Sequence, residues 1–145
     1  MEEKEKLIQL VKKQIGIERE LVKKIGEMEK KVGNAAAKML LLEMRLDSQK
    51  HAGMLTSILK VLRGVPPSQT IWEYRLESYV DPFVVKKELE NHMKMETAVL
   101  THVEEEIKQT KDEGLKLLLQ HIADDEKKHH KILETIVKYS YKINP

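Results

Sequence analysis

The sequence predicts an all-α protein in which four helices form a bundle made of two helical hairpins. Four long segments repeat apolar residues in alternating steps of three and four, which is the spacing of one helix face. Aromatic residues make up only 4% of the chain, and it has 4 prolines and 6 glycines, so a strand-rich fold is disfavoured. A length of 145 residues fits one domain, 1–145, that is large enough to bury a core.

The first helix is predicted over about residues 2–32, and a carboxylate, Glu18, lies inside its mostly apolar seam. Gly33 is expected to end this helix, and Asn34 is expected to cap the next one. The predicted seam consists of Leu7, Val11, Gln14, Glu18, Leu21, Ile25, Met28 and Val32.

The second helix is predicted over about residues 35–63, with His51 on its inward face, and it completes a first hairpin, 2–63. Gly64 and the two prolines that follow should end it. Residues 64–81 form a connection that is long for a bundle and could run the length of a helix of about 42 Å. This predicts a long crossover between the second and third helices, with a short helix inside it. The side chains expected to anchor it are Trp72, Tyr74, Leu76 and Tyr79.

The second hairpin is predicted over residues 82–140. Asp81 and Pro82 have the form of an N-cap followed by proline at the first helical position, and Asp112 marks the turn between the two helices. The inward-facing residues are Val85, Leu89, His92, Glu96, Val99 and Val103 on the third helix, and Leu115, Leu118, Leu119, Ile122, Glu126, His129, Leu133 and Ile136 on the fourth.

The two hairpins carry the same pair of polar residues in the same places. Glu18 and His51 are 33 positions apart, Glu96 and His129 are also 33 apart, and the second pair is the first displaced by 78 residues. Each pair is symmetrical about its turn, so its two members should lie at one height of an antiparallel hairpin. The pattern predicts an internal duplication that brings acidic and imidazole side chains to one level of the bundle.

Glu126 and His129 lie three residues apart, so both project from one face of the fourth helix. Together with a glutamate from each of two other helices, Glu18 and Glu96, they have the ligand pattern of carboxylate-bridged di-iron or di-manganese bundles. Carboxylates neutralise and bridge divalent ions, and imidazole adds a ligand without adding charge. Mixed oxygen and nitrogen ligation suits iron or manganese, and the general order of affinities leaves zinc open as well.

On these residues the chain resembles the ferritin-like superfamily, and within it the rubrerythrin-like, or erythrin, branch without a rubredoxin domain. The resemblance covers about residues 5–138. It implies a non-haem di-iron centre that oxidises Fe(II) or reduces peroxide or dioxygen, and it implies a homodimer. The metal ligands that it implies are the terminal carboxylates Glu18 and Glu96, the histidines His51 and His129, and the bridging carboxylate Glu126.

One position departs from the family pattern, which has a glutamate three residues before the histidine of the second helix. Ser48 stands there in this chain. Asp47, four residues before His51, and His92, one turn before Glu96, are weaker candidate ligands. The alternatives left open are a symmetric two-metal site and a site that is asymmetric, weaker or mononuclear.

Composition excludes several other functions. The chain has no cysteine, which rules out disulfides, thiol nucleophiles and iron–sulfur clusters, so any electron donor must be another molecule. Its net charge is only +2 and the charges are interspersed, which disfavours nucleic acid binding. The charged N-terminus and the lack of a long uncharged apolar run predict a cytoplasmic protein that does not enter a membrane.

Three functions are compatible with these features. The first is an oxidoreductase, a rubrerythrin-like peroxidase or ferroxidase, in which no catalytic residue beyond the metal ligands is predicted. The second is a metal-sequestering or structural-metal bundle whose site is degenerate at Ser48. The third is a bare interaction bundle in which the seam glutamates pair with lysines. Metal binding is favoured because each buried charge without a cation would cost a few kcal/mol.

Overall fold

The computed structural model describes residues 2–76 and 81–140, and it confirms the all-α prediction. Four helices, α1 (Glu2–Glu29), α2 (Ala35–Gly64), α3 (Pro82–Gln109) and α4 (Glu113–Ser140), account for most of these residues, and no strand occurs among them. The chain divides into two compact units, Met1–Tyr74 and Arg75–Pro145. Each unit contains one hairpin of contacting helices, α1–α2 or α3–α4.

Two helices, α2 and α3, begin at the caps that the sequence predicts, and α4 begins at a third cap, Asp112, which was predicted only to mark the turn. The Asn34 side chain accepts a hydrogen bond from the Ala37 amide at 2.8 Å, and Asp112 accepts one from Leu115 at 3.1 Å. Asp81 accepts from the amide of Phe83 at 2.9 Å, with proline at the start of α3. These short polar side chains satisfy amide groups that have no partner in the first turn of a helix.

The end of α1 differs from the prediction. The helix stops at Glu29, three residues before the expected end, and turn hydrogen bonds join Lys30 to Glu27 and Lys31 to Met28. Gly33 does not adopt a positive φ, so it does not provide the left-handed helix stop that glycine often supplies. The chain leaves the helix through these turns and reaches the Asn34 cap in an extended conformation.

In the first hairpin the buried face of α1 keeps Val11, Glu18 and Ile25 of the predicted seam and differs from it by one residue at the alternate positions. Leu7, Leu21 and Met28 are exposed, as is Gln14, whereas the neighbouring positions turn inward. The buried residues of α1 are Ile8, Val11, Ile15, Glu18, Ile25 and Glu29. Glu18 therefore remains on the inward face, as predicted, although several of its expected apolar neighbours do not.

Two polar contacts join α1 to α2 near the ends of the hairpin. Close to the turn, Arg45 donates to both carboxylate oxygens of the buried Glu29, at 2.5 and 3.3 Å, and this hydrogen bonding raises the pKa of Arg45. At the other end, the Lys4 ammonium donates to the Val65 carbonyl oxygen at 3.1 Å. That contact places a cation at the C-terminus of α2, where the helix dipole favours positive charge.

The described part of the connection, residues 65–76, consists of turns and contains no short helix. Its Glu73 carboxylate accepts hydrogen bonds from the amide and the hydroxyl of Thr70, which lower the pKa of Glu73. Tyr74 packs against Gly64, where an added Cβ would meet its hydroxyl at 2.6 Å. Trp72 is 48% exposed and Leu76 is 70% exposed, so neither has the buried packing expected of an anchor. Tyr79 lies outside the described residues.

The second hairpin packs α3 against α4 around small and branched side chains. Val103 and Ala123 are its most buried apolar residues, at 5% and 1% exposure. None of the helices in the described ranges combines the length and the apolar character that crossing a bilayer requires.

Candidate metal centre

The second hairpin brings three of the predicted ligands together. Glu96 on α3 faces Glu126 and His129 on α4, and one potential ligand atom from each residue lies within 4.8 Å of the other two. His129 Nδ1 is 3.7 Å from Glu96 Oε2 and 3.9 Å from Glu126 Oε2. Among the residues that the structure describes, this is the one group of three or more such side chains with metal-binding spacing.

Both carboxylates of this group are largely buried and incompletely satisfied. The side chains of Glu96 and Glu126 are each 16% exposed, and the Oε2 atom of each is buried without a hydrogen-bond partner. Their ion-pair contacts are with histidines. A carboxylate oxygen that loses its hydration without gaining a donor is destabilised, and a bound cation would remove that penalty. The residues present therefore fit a metal ion.

The distances in this group also fit a cation. Two ligand atoms that are each about 2.1 Å from one ion lie roughly 3–4 Å apart. The two contacts of His129 with Glu96 and Glu126 fall inside that range. At these separations an imidazole and a carboxylate are too far apart to form a hydrogen bond with each other, but they are close enough to share an ion.

His92 contacts this group from outside it. Its Nε2 atom lies 3.2 Å from Glu96 Oε1, the carboxylate oxygen opposite the one that faces His129. The His92 side chain is 55% exposed, and it does not belong to the set of three with metal-binding spacing. Its position is that of a residue which orients a ligand.

The first hairpin has a related but smaller arrangement. Glu18 Oε2 on α1 is 3.6 Å from His51 Nδ1 on α2, and this buried oxygen also lacks a hydrogen-bond partner. Gln14 Nε2 donates to the other oxygen, Glu18 Oε1, at 3.1 Å. The role of Gln14 was not predicted because an amide is a poor metal ligand. The sequence does contain a signal for this role, because a displacement of 78 residues aligns Gln14 with His92.

In the described part of the first hairpin, no second carboxylate joins Glu18 and His51 in a group with metal-binding spacing. Ser48, at the position equivalent to Glu126, is buried at 7% exposure and brings only a hydroxyl. Asp47 is 48% exposed and pairs with Lys50 at 3.2 Å. The structure thus places Asp47 in a surface ion pair one residue before the inward-facing position.

A depression of about 200 Å³ opens beside the group in the second hairpin. Its lining residues include both buried carboxylates, together with neighbours on α3 and α4: Glu96, Thr97, Leu100, Glu126, Lys127 and His130. The carboxylate group is therefore close to a space that a small molecule could enter.

Comparison with known proteins gives one match. The family model described as Rubrerythrin matches residues 26–137, which is most of the chain. The matched range includes Ser48, His51 and the whole group on the second hairpin, whereas Glu18 precedes it. No curated protein and no solved structure matched the chain.

Proposed function

The chain belongs to the rubrerythrin family, and from that premise we propose that it is a non-haem iron protein with a carboxylate and histidine centre. The proposed activity is oxidation of Fe(II) or reduction of peroxide or dioxygen. In ferritin-like di-iron proteins, two helices each supply a glutamate and the other two each supply a Glu-x-x-His motif. The corresponding residues of this chain are Glu18, His51, Glu96, Glu126 and His129, and we propose that the metal ligands come from this set.

The observation that carries this proposal is the convergence of Glu96, Glu126 and His129. Two buried carboxylate oxygens without hydrogen-bond donors, one from Glu96 on α3 and one from Glu126 on α4, lie within 4.8 Å of an imidazole nitrogen of His129 on α4. A protein that used these groups only to hold its helices together would be more stable with a lysine or arginine beside them. Oxygen and nitrogen donors of this kind suit iron, and manganese and zinc are the alternatives.

Bound iron would supply the redox chemistry with dioxygen or peroxide. The residues of the chain would hold the ion and position it beside the depression that Glu96 and Glu126 line. These residues contain no cysteine, so we propose that electrons reach the ion from a group outside them. A homodimer remains part of this proposal on the basis of the family resemblance alone.

The test is turnover of the iron-loaded protein. Loading with ferrous iron under argon, followed by air or peroxide, should give near-ultraviolet oxo–iron absorption and multiple turnovers with an added reductant. Glu126→Ala and His129→Ala should abolish both signals, whereas His102→Ala should leave them intact because His102 pairs with Glu106 on an exposed surface. Full turnover in both ligand variants would refute the assignment.

A non-enzymatic metal protein is the second candidate, and Ser48 is the observation that favours it. The family pattern has a carboxylate at this position that bridges two metal ions, and this chain has a hydroxyl instead. The replacement would weaken redox chemistry that needs two metal ions. Such a protein would bind metal stoichiometrically and would gain stability from it, without consuming peroxide. Binding without turnover in the experiment above would identify this function.

A further inference from the structure

We infer that one metal ion is held by the α3–α4 hairpin alone, and that the α1–α2 hairpin holds no ion of its own because Ser48 replaces a carboxylate. The inference rests on the proposed metal-binding function and adds to it the number and place of the ions. Its basis is a comparison of two sets of residues that are related by a displacement of 78 positions. The first set is Gln14, Glu18, Ser48 and His51, and the second is His92, Glu96, Glu126 and His129.

The second set meets the minimum for a metal site within a single hairpin. Glu96 and Glu126 supply two negative charges, which balance one divalent ion, and His129 adds a neutral ligand. The contacts of 3.7 and 3.9 Å from His129 Nδ1 mean that only small side-chain movements would bring all three atoms onto one ion. Positions left open on that ion can be taken by water or by further side chains.

The first set does not meet this minimum. Glu18 and His51 lie 3.6 Å apart, but together they bring one negative charge and two ligand atoms. Ser48 is buried at 7% exposure, so it occupies the inward position where the second hairpin has its other carboxylate, and its neutral hydroxyl is a weak ligand for a divalent ion. Within the described residues, the first hairpin contains no set of three ligands with metal-binding spacing.

Asp47, the alternative ligand that the sequence suggested, does not supply the missing ligand in the first hairpin. Asp47 pairs with Lys50 at 3.2 Å and is half exposed, so using it would require breaking that contact and rotating the side chain inward. The hairpins therefore differ in the number of ligands that face the shared glutamate and histidine pair. The orienting contact to Oε1 of the glutamate occurs in both, from Gln14 in one and from His92 in the other.

The test is metal stoichiometry in two reciprocal variants of the full-length chain, measured by equilibrium dialysis against ferrous iron under argon and by elemental analysis. Wild type should bind one tight equivalent. Glu126→Ser, which makes the second hairpin resemble the first, should weaken that binding by more than about 100-fold, since loss of a ligand exceeds the loss from its supporting groups. Ser48→Glu should add a second equivalent, and Ser48→Ala is the matched control that should bind one.

Circular dichroism should establish that each variant is folded, and Ser48→Asp replaces Ser48→Glu should the larger side chain prevent folding. The inference would be overturned if wild type bound two tight equivalents of iron, or if the folded Ser48→Glu or Ser48→Asp variant bound only one. Either result would leave the proposed function standing. Iron retained by Glu126→Ser but lost in Glu18→Gln would also overturn it, because the ion would then belong to the first hairpin. No iron bound by wild type would refute both proposals.

Discussion

The two hairpins share their turn chemistry and differ in the residues that determine charge at their centres. Both second helices begin at a side chain that accepts from the amide three residues on, Asn34 in one hairpin and Asp112 in the other. Both place a glutamate of the first helix 3.6–3.7 Å from a histidine of the second. These shared contacts are those that the predicted internal repeat would produce.

The differences form two groups. At the candidate metal centre, Ser48 in the first hairpin corresponds to Glu126 in the second. Nearer the turn, the Glu29–Arg45 ion pair of the first hairpin corresponds to Ile107 and Ala123, and Ala123 is almost wholly buried. The first hairpin thus has a compensated charge near the turn and one buried carboxylate oxygen without a donor at its centre, whereas the second has two such oxygens. The same helical frame can therefore be used for a structural ion pair or for a candidate binding site.

The largest expected effect comes from transplanting the candidate site. In the double variant Ser48→Glu with Glu126→Ser, the first hairpin should acquire the ion that the second loses, so one equivalent of metal should again bind. Zinc at 1,000 times its Kd should then raise the free energy of unfolding by about 4 kcal/mol, as in wild type. Thermal unfolding with zinc and with chelator measures this difference. No zinc-dependent shift in the double variant would show that the hairpins differ by more than this residue.

A smaller effect is expected from removing one member of the ion pair near the turn. Arg45→Ala should lower the melting temperature by several degrees, because it leaves the buried Glu29 carboxylate without its donor. Adding Glu29→Ile should restore much of the loss, since the two changes reproduce the apolar pair of the second hairpin. Urea unfolding of the single and double variants gives the comparison. A double variant less stable than Arg45→Ala alone would contradict it.

The contact of His92 should affect metal affinity modestly. His92→Ala should weaken binding by about 10-fold, because it removes a group that orients the Glu96 carboxylate. His92→Gln should retain near wild-type affinity, since Gln14 makes the equivalent contact to Glu18 in the first hairpin. Competition with a chromophoric chelator measures both constants. Equal losses in the two variants would mean that His92 binds the metal directly.

The smallest effect concerns the helix caps, where the hairpins should behave alike. Asn34→Ala and Asp112→Ala should each lower the free energy of unfolding by about 1 kcal/mol, because each removes one acceptor for an amide in the first helical turn. Chemical denaturation of the two variants measures these losses. A much larger loss in one of them would show that its turn has a role beyond capping.

Features set by neighbouring residues could be predicted from the sequence, and features set by contacts between helices could only partly be predicted. The caps at Asn34 and Asp81 were predicted from a short polar side chain before a periodic segment, and both form. Asp112, predicted only to mark the turn, caps α4 in the same way. On α1, Val11, Glu18 and Ile25 were predicted correctly, and the alternate positions of the buried face were predicted one residue away from where they lie. Apolar residues occur side by side at Leu7 and Ile8, so periodicity alone could not select the buried one.

The candidate site shows the same limit. The spacing of Glu96, Glu126 and His129 predicted their proximity, because helical geometry and a symmetric turn are enough to place them. The choice between Asp47 and Ser48 depended on which of two adjacent residues turns inward, and that depends on packing against α1. The pairing of Glu29 with Arg45 depends on side-chain reach across the turn, for which the sequence carries no local signal.

Elemental analysis of protein purified without an affinity tag tests the central claim most directly. We expect iron, manganese or zinc to copurify at about one ion per chain, to be absent from Glu126→Ser prepared in parallel, and to be removed by chelator with a fall in melting temperature. Metal-free wild type that accepts no added iron and melts at the same temperature in chelator would contradict the account. The chain would then be a helical bundle whose buried glutamates do not serve a cation.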